Sequence, residues 1–153
     1  MLIFSLKRVP LRARLPYPGG LNHSLRPILP LLVFGPTTSH KVEFIADTAA
    51  DSVIVPEFYA PQIGIDLTRA YSGSAVGVGS GTVSVRYALV LLELDDGVTQ
   101  YRWRTHVGFA PVQHALFGAT GGLEFFRSTI DYATEELMMN PQGTLPITSD
   151  SIP

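Results

Sequence analysis

The chain has 153 residues, of which 46% are hydrophobic and 16% charged, with a formal net charge of −2 and no cysteine. That length suits one domain with its own hydrophobic core, and the composition excludes a disordered chain. Near-neutral charge gives no general pull toward nucleic acid or membrane, and the lack of cysteine excludes disulfide staples and thiolate metal sites and fits a reducing, cytoplasmic setting.

No apolar run approaches the ~18 residues that a membrane span needs. Before Val42 the chain carries Lys7, Arg8, Arg12, Arg14, Arg26 and Lys41 and no acid. Residues 1–24 therefore read as a flexible basic arm, and no nucleic-acid or membrane partner is expected of it. Ile28 to Phe34 is the first predicted strand, with Pro30 allowed only at an edge or bulge. Gly35-Pro36-Thr37-Thr38-Ser39 turns the chain, and Lys41 to Asp47 returns as the second arm of a hairpin. Ser52 to Val55 is again extended, Glu57 to Ile63 holds one helical turn, and Ile65 to Arg69 is extended.

Thr82 to Leu94 has the clearest period of two, which places Val83, Val85, Tyr87, Leu89 and Leu91 on one face. Asp95-Asp96-Gly97 is a tight-turn signal. Tyr101, Trp103, Thr105 and Val107 alternate with Arg102, Arg104 and His106 on the return, so the pair is a long hairpin with one apolar side. Ala115 to Gly118 is a short apolar run, Gly121 to Arg127 is read as helical, and Thr129 to Tyr132 pairs with Glu136 to Met139. The domain spans residues 25–140, and 141–153 are a frayed polar tail.

Gly77-x-Gly79-x-Gly81 has the glycine content of a phosphate-binding loop, but that use needs a helix to follow and a strand follows instead. The cluster reads as a hairpin tip whose glycines supply positive φ. His23, His40, His106 and His114 lack metal-ligand spacing, and no serine, thiol or metal hydrolase motif occurs. No metal or cofactor is expected.

The chemistry-bearing candidate is Asp47. It ends the apolar run Phe44-Ile45-Ala46 and opens a turn of small residues, Thr48-Ala49-Ala50-Asp51-Ser52, before the β-branched Val53-Ile54-Val55. Burying a lone charge is costly, so an acid delivered by a core strand has either a local partner or a chemical role. Capping of nearby amides is the plain structural reading, since Asp, Ser and Thr do this commonly. On the residues alone both readings stand.

The run Phe44 to Ala50 resembles the active-site loop of the retropepsin-like aspartic proteases, hydrophobic-hydrophobic-Asp-Thr/Ser-Gly-Ala. The order of Asp47 loop, glycine-tipped hairpin and Leu116-Phe117-Gly118 before a short helix is similar to that family's plan. The resemblance implies a mostly-β, closed acid-protease barrel with one short C-terminal helix, a homodimer and a peptide or protein substrate. It gives Asp47, Thr48 and Ala49 the catalytic positions. It gives Ala50, Asp51, Val53, Val76, Gly77, Val78, Gly79, Ser80 and Leu116 the substrate-binding ones, with residues 77–81 as a flap. Two departures stand out. Ala49 occupies the family's usual glycine, and Ala119 occupies a position where many members have an arginine paired to the acid matching Asp51. A catalytically inactive dimerisation or peptide-binding module is the alternative, and a barrel for a small apolar ligand is a third.

Overall fold

The computed structural model describes residues 1–12, 22–77 and 79–147. In chain order the strands are β1 (Leu2–Ser5), β2 (Lys7–Pro10), β3 (His23–Arg26), β4 (Ile28–Phe34), β5 (Ser39–Ala46) and β6 (Ile54–Pro56). After a one-turn helix α1 (Tyr59–Gln62) come β7 (Tyr71–Val76), β8 (Thr82–Asp95), β9 (Gln100–Ala110) and β10 (Ala115–Phe117). A 3₁₀ turn (Leu123–Phe125) leads to β11 (Phe126–Asp131) and β12 (Glu136–Pro141). The protein is mostly β, as expected.

Six strands form a closed ring of hydrogen-bonded neighbours, β4-β5-β10-β6-β9-β8 and back to β4, with β7 added along the first half of β8. Ring closure removes the free edges that an open sheet would leave for aggregation. Pro30 lies one residue beyond the last β4–β8 pair, Leu31 with Leu94, where no β8 carbonyl needs a donor from it. Strand alternation fills the ring with Leu29, Leu31, Val33, Val42, Phe44, Val53, Val55, Val90, Leu92, Leu94, Val107, Phe109 and Phe117, all buried. Trp103 is fully buried among them, 5.6 Å from the Phe126 ring and 6.2 Å from that of Phe117, and its indole N–H donates to Gly121 O at 2.9 Å.

The β8–β9 hairpin keeps its expected limits, but its faces need a correction. Val90, Leu92 and Leu94 face the ring interior while Leu89 is 52% exposed. The register explains this, because Leu92 is paired with the inward Trp103 and Val90 with Thr105. The odd-numbered residues Val83, Val85 and Tyr87 are on the outer face, where they belong to a second, smaller apolar cluster.

The flexible arm expected over residues 1–24 is corrected for the described part. Leu2, Phe4 and Leu6 are buried, β1 pairs with β12, and β2 pairs with β3. The overlooked signal was the period of two in Leu2, Phe4 and Leu6, and the partner strand lies at the far end of the chain. Residues 13–21 are outside the described residues. The tail is likewise anchored as far as residue 147, with Leu145 buried and Gln142 N–H donating to Phe125 O at 2.8 Å; residues 148–153 are outside the description. The helix expected over 121–127 is a single 3₁₀ turn, because Phe126 enters β11 at once and seats its ring on Trp103. The stretch Ile65 to Arg69 is not a strand.

The β8–β9 turn also anchors the N-terminus. Asp96 Oδ1 accepts Thr99 N–H at 2.7 Å and Val98 N–H at 2.9 Å, while Oδ2 accepts Ile3 N–H at 2.9 Å. The Thr99 amide foremost holds the Asp96 carboxyl below its ordinary range.

Candidate active site

β5 delivers Asp47 at its end, and β10 lies beside it in parallel, Leu116 opposite Ile45 and Phe117 opposite Ala46. Asp47 N–H continues this pairing by donating to Phe117 O at 3.2 Å. The chain then turns back: Asp47 O accepts Ala50 N–H at 3.2 Å, and Asp47 Oδ1 accepts Ala49 N–H at 2.9 Å. Ala49 thus provides the backbone donor that orients the carboxylate. This is the capping role that the local sequence predicted, and it leaves Oδ2 without a donor among the described residues.

The other side of the turn is clasped by the segment after β10. Ala119 N–H donates to Ala50 O and Thr120 N–H to Asp51 O, both at 2.9 Å, and Val53 N–H donates to Thr120 O at 3.3 Å. Gly118 permits this approach, since a Cβ there would lie 2.2 Å from Ser52 O and 2.6 Å from Ala50 O. Gly122 stacks on it, with a Cβ placed 2.7 Å from Gly118 O. Gly121 has φ +80° and donates its N–H to Glu124 Oε1 at 2.7 Å, which fixes the corner. The extra glycines of this corner are therefore the means by which backbone reaches backbone.

Asp47 and Ala50 are half-buried, and Thr48, Ala49 and Asp51 are exposed. Ala119 stands beside the turn, and among the described residues Asp51 has no ion-pair partner. Val53 corrects its predicted place in a substrate pocket: it is 0% exposed and faces the ring interior, because alternation gives the outward position to Ile54. Leu116 is on the outer face, half-buried against Ile54.

The hairpin of β7 and β8 carries the remaining candidates. Val76 is 73% exposed, and Gly77, Gly79 and Ser80 form an exposed tip. Gly77 N–H donates to Gly81 O at 2.9 Å, and Gly79 and Ser80 have φ +89° and +64°. Val78 lies outside the described residues. The tip is a turn between two strands, with no helix behind it.

Register sets the predicted Leu116 among neighbours from other strands. One row runs across six strands on the outer face, Ile45, Leu116, Ile54, Gly108, Tyr87 and Tyr71 in turn. Asp47 follows Ile45 by two residues, which strand alternation puts on the same side. Below the row, Val85 and Ala110 are buried with Ile54, and Ala75, Val83, Val112 and Leu116 pack around them. The outer apolar cluster therefore extends away from the candidate carboxylate. No single-strand pattern could reveal this row, since it depends on which strands become neighbours.

Among the described residues no helix is long and apolar enough to cross a membrane, and no group of three or more His, Cys, Asp or Glu is placed to hold a metal ion.

No family model and no curated protein matches the chain. Among solved structures, the chain is similar to the EIAV protease complexed with the inhibitor HBY-793, at 19% identity over 61% of this chain and 81% of that one, with a TM-score of 0.40. It is also similar to a retropepsin-like aspartic protease from Rickettsia conorii, at 23% identity over 72% of this chain and 88% of that one, with a TM-score of 0.46. The second of these carries in its name the family that the Asp47 loop resembles.

Proposed function

We propose that this chain is one half of an aspartic endopeptidase, with Asp47 from each of two copies forming the catalytic pair. The observation that carries the reading is the held carboxylate. Asp47 is fixed at the end of β5 by Phe117 O and by the Ala49 N–H, and its turn is clasped by Ala119 and Thr120, yet the side chain is only half-buried. Such rigidity suits a group that must meet a substrate at fixed geometry.

Two adjacent carboxylates cannot both ionise cheaply, so a facing pair shares one proton. The ionised Asp47 takes a proton from a water placed between the two, and the water oxygen bonds to the peptide carbonyl carbon. The protonated Asp47 gives its proton to the carbonyl oxygen. Collapse of the resulting diol, with a proton passed to the amide nitrogen, breaks the C–N bond without a covalent enzyme intermediate. One Asp47 turn per chain makes the site depend on a two-fold symmetric homodimer, with Thr48 beside the axis. The exposed tip at Gly77, Gly79 and Ser80, with Val78, would close over an extended peptide as a flap and pair with its backbone.

A second reading is a catalytically inactive module that binds peptide or a second copy. It is favoured by the Ala49 methyl group in the turn and by Asp51, which has no ion-pair partner among the described residues. The experiment that tests both incubates the chain with a mixed peptide pool at about pH 4 to 7 and reads new termini by mass spectrometry. Cleavage by the wild type and its loss in Asp47→Asn support the first reading. Binding without cleavage by either supports the second. Sedimentation that finds only monomer at high concentration counts against the shared site.

A further inference from the structure

Tyr87 occupies an unusual seat on the outer face. It pairs with Gly108 of β9 on one side and Tyr71 of β7 on the other. A Cβ at Gly108 would lie 3.3 Å from Tyr87 Cε1, and one at Gly73 would lie 3.1 Å from Cε2. The ring therefore lies along the sheet, with one edge over a glycine of each neighbouring strand. The space above Gly108 is also taken by Val85 Cγ1 and Ile54 Cδ1, which a Cβ would meet at 2.5 and 2.8 Å. Ile54 and Val85 are buried and form the floor of an apolar shelf on which the half-buried Tyr87 ring packs. Leu116 joins it to the strand that carries Asp47, and Tyr71, 77% exposed, flanks it with its ring 6.2 Å from that of Tyr87.

We infer that Tyr87 determines side-chain preference at the proposed peptide site: by covering Gly73 and Gly108 its ring makes a shallow shelf that accepts aliphatic side chains and excludes aromatic ones. The occupant is an extended peptide, because the register row that holds Tyr87 runs through Ile54, Leu116 and Ile45 to the strand that ends at Asp47. This rests on the reading of Asp47 as catalytic. A ring removed from this seat uncovers two glycines at once and leaves a trough the size of the ring itself. A pocket gains or loses discrimination mainly through the volume that it offers to a side chain.

The test compares wild type, Tyr87→Phe and Tyr87→Ala on peptides that differ at one position, aliphatic against aromatic. Wild type and Tyr87→Phe are expected to rank the aliphatic peptide first. Tyr87→Ala is expected to move the aromatic-to-aliphatic ratio of kcat/KM by about tenfold or more toward aromatic, through KM rather than kcat. Should Tyr87→Ala fail to fold by circular dichroism, Tyr87→Leu is read in its place, with an expected shift of about threefold. A ratio unchanged in the folded variant, or a wild type that prefers the aromatic peptide, overturns the inference while cleavage upholds Asp47. A wild type that cleaves no peptide removes the catalytic reading and this inference with it.

Discussion

The turn at Asp47 and the tip at residues 77–81 are both short loops of small residues, but they are held by different means. The first is bound from both sides by backbone of a distant segment, through hydrogen bonds to residues 117–120 and the close approach of Gly118. Among the described residues, the second is held by its own two strands. A Cβ added at Gly79 or Gly81 would meet nothing within 4 Å. The comparison separates two uses of glycine. At Gly118 it brings backbone against backbone and fixes a side chain, whereas at Gly79 it permits a left-handed turn in open space. A fixed acid and an unconfined tip are what the proposed site would need if one part holds geometry and another moves over a ligand.

The largest expected effect is on the fixed loop. Asp47→Asn should leave the fold intact by circular dichroism and lower peptide cleavage by about 10²–10⁴-fold, the usual value of a positioned acid or base. Retained cleavage in this variant would break the comparison outright, since the held turn would then have no catalytic use. Gly118→Ala comes next. Its methyl group has no space between Ser52 O and Ala50 O, so chemical denaturation should report a loss of about 1–3 kcal/mol, as overpacking does.

Gly79→Ala sharpens the same contrast from the other side. Only the strain of a positive φ opposes it, so the expected loss is about 1 kcal/mol and the rest of the protein is undisturbed. Amide exchange should follow the same division, faster for residues 77 and 79–81 than for residues 50–53.

The smallest effect is acid-dependent and concerns a third turn. The Asp96 carboxyl is held below its ordinary range in the folded state, chiefly by Thr99 N–H, so its contribution is present above the ordinary carboxylate pKa and is lost as pH falls through the lower folded one. Asp96→Asn should flatten the fall in melting temperature below about pH 4 and loosen β1, where Ile3 N–H loses its acceptor. An unchanged pH profile would show that this turn does not anchor the N-terminus.

Much of this arrangement was readable from local chemistry. Alternation marked β8 and β9, apolar runs on either side of a Gly-Pro turn marked β4 and β5, Asp95-Asp96-Gly97 marked the turn between β8 and β9, and the acid followed by small residues marked Asp47. Each depends on neighbours within a few positions, where strand period and turn propensity act directly. Local pattern failed where a residue's environment is set by a partner far along the chain. Leu2 and Phe4 looked like part of a mobile arm until β12 covered them.

Val53 and Ile54 show the limit most clearly. Either could face a ligand by composition, and only the neighbours β9 and β10 send Val53 to the interior and Ile54 to the outer shelf. Tyr87 likewise looked like one member of an apolar face until two glycines from separate strands were brought beside it. The amino-acid order by itself determined where strands and turns form, because backbone preferences act over a few bonds. Tertiary structure alone decided which side of each strand meets which neighbour, because ring closure couples registers that lie tens of residues apart.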